Sequence, residues 1–236
     1  MKLKRKGLLL SIVTLIVLLF VARFAGVFQF YDIPTGSMEP TLPVGKKILA
    51  TNLKNPKRNS IILFTRRINE RFENDPNGKN STFCSRLIAM GGDTLLVKSG
   101  YAYINGILVD DTTQLKFSYA LSSKDLNNLA TALEIDIEKD RSGDFNVIAD
   151  SAYANLSGKQ YDRVKNVIQL IRQINYAAAG AEIYTGKEWT VDNFGPYVIP
   201  PEHYFVMGDN RHNAMDSRYV GSIPLKDIKG VLIAKL

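Results

Sequence analysis

The chain has 236 residues, 45% of them hydrophobic and 22% charged, which excludes a disordered or low-complexity chain and leaves room for one sizeable core with a smaller lobe. The formal charge of +7 is uneven: Lys2, Lys4, Arg5 and Lys6 take four of the 30 basic residues, leaving 26 against 23 acidic ones, a balance that argues against nucleic acid as a partner. A single cysteine, Cys84, excludes an internal disulfide, and with only two histidines the chain offers no metal-ligand set and implies no cofactor.

Residues 1–6 read as a cytoplasmic basic tail and residues 7–28 as a transmembrane anchor. The stretch from Gly7 to Phe28 would span roughly 33 Å as a helix, with Arg23 near one end. A cleaved signal peptide is the competing reading, and its apolar run would be shorter.

Beyond it, short strand-like runs predict a first part of a β core over residues 29–111: Lys47–Ala50, Ser60–Phe64, Phe83–Met90 and Thr94–Lys98. Asn105-Gly106 within Tyr101–Asp110 is a hairpin signal. Asn69 to Asn80 reads as an exposed loop. Residues 112–196 read as an inserted α/β lobe. Leu126, Leu129 and Leu133 have helical spacing behind Ser122 and Asp125, and Val164, Val167, Ile168, Ile171 and Ile174 predict a second amphipathic helix. The core resumes over 197–236 with strands at Tyr204–Met207, Arg218–Ile223 and Val231–Ala234.

Two clusters carry chemistry. The first is Pro34-Thr35-Gly36-Ser37-Met38-Glu39-Pro40-Thr41-Leu42. A lone serine is usually a solvated surface group, but Pro34 and Pro40 fix the chain around this one and Gly36 admits a second backbone close to it. The second runs from Gly208 through Asp209, Asn210, Arg211, His212, Asn213, Ala214, Met215, Asp216 and Ser217 to Arg218. Its plain reading is a salt-bridged turn in which Asp216 holds Arg211 or Arg218.

The first cluster resembles the serine motif S-M-x-P-T-L of type I signal peptidases (leader peptidases, peptidase family S26). The second resembles that family's closing motif, and Arg86-Leu87-Ile88-Ala89-Met90-Gly91-Gly92-Asp93 resembles the segment between them. The resemblance implies a mainly β, signal-peptidase-like catalytic core of coiled antiparallel sheets, preceded by one N-terminal transmembrane helix. It implies a serine endopeptidase in a bacterial cytoplasmic (inner) membrane, single-pass, with the N-terminus in the cytoplasm and the body on the outer side. Exported preproteins with small residues before the cleavage site would be its substrates and membrane lipid its surroundings. Ser37 would be the nucleophile, and the Ser37 N–H with the Thr35 hydroxyl would form the oxyanion hole. Arg86, Asp93, Asp209, Arg211, Asp216 and Arg218 would frame the site.

The chain departs from the pattern at the general base. Ser85 occupies the family's lysine position, Ala214 replaces a serine that bonds that lysine, His212 stands where many relatives have aspartate, and Gly91 replaces a proline. Three accounts follow. His212 substitutes as the base. Ser85 or a neighbour supports a slow mechanism. Or the chain is a catalytically impaired homologue acting as an envelope binding protein. Lys79 and Lys98 are weaker candidates for a relocated base.

Overall fold

The structure, a computed structural model, describes residues 2–68, 78–174 and 188–236. It opens with α1 (Lys2–Phe24). Lys2, Lys4, Arg5 and Lys6 occupy its first turns and Arg23 its last, so the charge-free helical run is residues 7–22. That run is about 24 Å long, short of the roughly 30 Å of a bilayer's hydrocarbon core. The helix stops at Phe24, so the apolar residues up to Phe28 do not extend it. Among the described residues, no helix is long and apolar enough to cross a membrane. This overturns the expected transmembrane anchor, and with it the single-pass placement with a cytoplasmic N-terminus.

The strands then run β1 (Gln29–Asp32), β2 (Lys47–Thr51), β3 (Ile61–Ile68), β4 (Lys79–Met90), β5 (Thr94–Lys98), β6 (Tyr101–Ile104) and β7 (Ile107–Leu108). Next come β8 (Lys116–Ser122), α2 (Leu126–Leu133), β9 (Phe145–Ile148), β10 (Ser151–Ser157), α3 (Gly158–Val164) and β11 (Ile171–Arg172). The chain ends with β12 (Phe194–Val198), β13 (His203–Met207), α4 (Ser217–Val220), β14 (Ile223–Pro224) and β15 (Ile228–Lys235).

They form three sheets, all paired antiparallel. The largest has the order β1-β2-β15-β3-β4-β13-β14, the second β12-β5-β6-β7, and the third β11-β8-β10-β9. The mainly β core expected from the sequence is present. The third sheet, with α2 and α3, makes an α/β lobe inside residues 112–196, whereas β12 at the end of that stretch pairs with β5.

Period-two alternation explains why the central strands are apolar throughout. Ile61 and Leu63 face a cluster with Met38, Leu42 and Ile48, while Ile62 and Phe64 face Leu87, Tyr204 and Val206. On β13, Phe205 and Met207 turn to a third cluster with Phe194, Leu95 and Val97, which binds the first sheet to the second. Asn105 and Gly106, at φ of 51° and 84°, make the predicted hairpin turn.

Three local expectations change. The helix predicted through Val164, Val167, Ile168, Ile171 and Ile174 ends at Val164. Ser157 and Gln160 form a capping box that starts it at Gly158, and Ile171 pairs with Ala120 as a strand. The strand predicted at Arg218–Ile223 begins instead as α4, because the Asp216 side chain caps the Arg218 N–H. Of the loop expected at Asn69 to Asn80, residues 69–77 lie outside the described residues, and Lys79 and Asn80 already belong to β4. α2 forms as expected, with Leu129 and Leu133 buried.

Phe205 is fully buried between two sheets, so Phe205→Ala is expected to destabilise the chain by about 3–5 kcal/mol, read as a lowered midpoint in urea unfolding.

Candidate active site

Ser37 sits in a single 3-10 turn, Gly36–Met38. The next side chain, Met38, is 1% exposed and locked in the core beside Leu42. Behind the turn two backbones come closer than a side chain would allow. A Cβ on Gly36 would lie 2.4 Å from the Ser142 carbonyl oxygen, and one on Gly208 would lie 2.6 Å from the Ser37 carbonyl oxygen. Glycine is therefore required at both positions, and the close approach expected at Gly36 is made by the inserted lobe. The Asn210 N–H donates to the Ser37 carbonyl at 3.0 Å. The serine is thus held from the core side and the lobe side while its own side chain stays partly open.

In front of the turn is a groove of about 650 Å³. Tyr31, Ile33, Thr35 and Ser37 line one wall, and the β4 residues Phe83, Cys84 and Ser85 line another. His212 and Ala214 of the closing motif also border it. The Thr35 and Ser37 hydroxyl oxygens are 3.4 Å apart, and either can donate to the other. Ser85 is 4% exposed and Ala214 9%.

The register of β13 on β4 decides what the closing motif touches. Met207 lies opposite Arg86, so the chain that follows passes directly over β4. Arg86 donates to both oxygens of Asp209, at 2.8 and 2.6 Å, and the Thr41 hydroxyl donates to the same carboxylate. This bidentate pair ties the middle motif, the closing motif and the serine segment together. Arg211 pairs with Asp110 at 2.7 and 2.5 Å. Asp216 takes Arg218, at 2.8 and 2.7 Å, and also accepts from the Gly208 N–H at 2.9 Å. Of the two partners left open for Asp216 by the sequence, the structure selects Arg218. Asp93 is elsewhere: it accepts from Arg58 and from the Met90 N–H and does not line the groove.

His212 lines the groove by residue but not by its ring nitrogens. Nδ1 accepts from the Ser118 N–H at 3.1 Å, and Nε2 faces the Asp192 Oδ1 at 2.8 Å. An Nδ1 that accepts carries no proton, so Nε2–H donates to Asp192. The ring is committed to the lobe side rather than to Ser37. Neither Lys79 nor Lys98 lines the groove, and among the described residues no lysine does.

The buried lysine near the serine segment is Lys116, which sequence reasoning missed because it lies on the first residue of β8, far along the chain. It pairs with Glu39 at 2.8 Å and with Asp144. Burial disfavours its charge, but the two carboxylates outweigh that and hold its pKa above the ordinary lysine range. An ammonium so held is protonated at neutral pH and cannot take a proton from a hydroxyl.

Burial, with a smaller contribution from the Asp209 carboxylate and against the Arg86 guanidinium, pushes the Cys84 thiol up to about 12. A raised thiol pKa favours folding fully below the unfolded value and loses that contribution as pH rises toward the folded one. Native protein is therefore expected to resist maleimide at pH 8 and to react once unfolded in urea, and its stability should fall between about pH 9 and 12.

The family described as "Signal peptidase, peptidase S26" matches residues 5–236. The chain is 29% identical to signal peptidase I of Aquifex aeolicus (strain VF5), covering 96% of this chain and 81% of that protein. It is 26% identical to signal peptidase I of Buchnera aphidicola subsp. Acyrthosiphon pisum (strain APS), covering 91% of this chain and 69% of that protein. A crystal structure of a signal peptidase I from Enterococcus faecalis V583 covers 76% of this chain and 98% of its own, at 23% identity and a TM-score of 0.34. With the family matched over nearly its whole length, the chain belongs to the signal peptidase family, peptidase S26.

Proposed function

We propose that the chain is a signal-peptidase-type serine hydrolase that binds an extended preprotein segment in the groove and cleaves it slowly, because Ser37 lacks an adjacent general base. The observation that carries this reading is the groove itself. It presents the paired hydroxyls of Ser37 and Thr35, and among the described residues no lysine or uncommitted imidazole faces them.

In this reading Ser37 Oγ attacks the scissile carbonyl, and the Ser37 N–H and the Thr35 hydroxyl stabilise the negative charge that develops on its oxygen. The apolar wall of Ile33, Met38 and Leu63 takes small side chains next to the cut. A hydroxyl is a weak nucleophile until its proton is taken, and general-base assistance contributes about 10²–10⁴-fold in such reactions. The missing factor accounts for a slow enzyme rather than for a different one.

The commitment of both His212 ring nitrogens also favours a second reading, a homologue that binds preprotein segments without turnover. Both readings are tested by preprotein cleavage with the purified chain, Ser37→Ala, His212→Ala and Ser85→Lys. Slow cleavage is expected that disappears in Ser37→Ala, survives in His212→Ala, and rises by about 10²-fold or more in Ser85→Lys. No cleavage by the unsubstituted chain, with retained binding of a preprotein-derived peptide, would transfer the conclusion to the binding reading.

A further inference from the structure

The inserted lobe touches the back of the serine turn through one buried cluster. Lys116, 5% exposed, opens β8 and bonds the closing motif with its backbone. Its N–H donates to the Asp209 carbonyl, and its carbonyl accepts from the Arg211 N–H, each at 2.9 Å. Its ammonium lies between Asp144 of the lobe and Glu39, two residues past Ser37.

Asp144 is 4% exposed and is itself fixed, its N–H donating to Asp140 and its carbonyl accepting from the Asn155 N–H at 2.8 Å. The Asn210 amide then bridges the same two parts. Its Nδ2 donates to Asp144 Oδ1 at 2.7 Å and to the Gly36 carbonyl at 3.2 Å. Ser142 presses on Gly36, and its carbonyl accepts from Asn213 Nδ2 at 2.8 Å. The serine turn is therefore bound on two sides to residues 140–144 and to Lys116, none of which touches the groove.

We propose that Lys116 is a positioning residue for Ser37, acting through Glu39 and Asp144, so that the lobe fixes the orientation of the nucleophile. The proposal rests on Ser37 being the reacting group. A cation held between one carboxylate on the serine segment and one on the lobe resists separation of the two, because without it both carboxylates would lose their counter-charge, Asp144 in a buried position and Glu39 in a half-buried one. Small displacements of a nucleophile are costly in rate, about 10²-fold for 1 Å.

Two readouts on the full chain test this. The first is acylation of Ser37 by a serine-reactive β-lactam, followed by intact mass and resolved into a saturating rate constant and a half-saturation concentration. The second is amide hydrogen exchange over residues 35–39. Lys116→Met is expected to lower the saturating rate about tenfold or more with little change in half-saturation, and to speed exchange in the turn. Lys116→Arg, which keeps a cation between the carboxylates, should recover most of both.

Should Lys116→Met fail to fold, Glu39→Ala leaves the Lys116–Asp144 pair intact, removes the carboxylate that ties Lys116 to the serine segment, and should show the same two changes. Rates and exchange equal to those of the unsubstituted chain would overturn the proposal. Absence of acylation in the unsubstituted chain would count against Ser37 as the reacting group, while the exchange comparison would still decide whether Lys116 holds the turn.

Discussion

The site depends on a set of arginine–carboxylate pairs placed out of water. Arg211 and Arg218 are both 0% exposed, and each is matched by a carboxylate in bidentate geometry, Asp110 and Asp216. Such pairs stabilise little relative to an apolar core, but losing one partner costs about 3–5 kcal/mol, since a charge is then left buried alone. The result is a closing motif with essentially one allowed arrangement. Arg218 also donates to the Arg211 carbonyl at 2.6 Å, so the two pairs reinforce each other. With the motif rigid, Asp209 meets Arg86 and Asn210 meets the Ser37 carbonyl.

In the proposed function, this frame separates holding Ser37 from activating it. The holding parts are complete: the glycines behind Ser37, the buried Met38, the Asn210 contacts and the Arg86–Asp209 clamp. In the proposed function the activating part is the weak one, because among the described residues no lysine lines the groove, which β4 borders with Ser85 and the closing motif with Ala214. His212 is drawn the other way. Its ring nitrogens serve Ser118 and Asp192, and it packs edge-on against Phe117 at 5.8 Å, so it belongs to the seam between the closing motif and the lobe. The place of His212 in the closing motif is thus explained by these hydrogen bonds and this packing.

Much of the β core was legible because it rests on local pattern. Strands at Lys47, Thr94 and Tyr204 follow alternation, and the Asn105-Gly106 turn follows from the positive φ that those residues tolerate. Where two local signals competed, the sequence reading failed. Apolar residues at helical spacing from Val164 to Ile174 mimic a helix, yet the capping box fixes its start and strand pairing claims Ile171. Arg218 to Ile223 looked extended, yet one Asp216 cap was enough for a helical turn. The apolar run at the N-terminus gave the length of a hydrophobic segment but not where its helix would stop.

By itself the sequence determined the composition class, the order of the three motifs and the family they resemble, because these depend on residue type and spacing along the chain. Only the tertiary structure decided which carboxylate meets which arginine, that His212 turns from Ser37, and that Lys116 reaches Glu39 across 77 residues of sequence. Those outcomes depend on the register of β13 on β4 and on the seating of the lobe against the serine turn. Partners so distant in the chain are chosen by the packing of sheets, and no periodicity in the sequence encodes that packing.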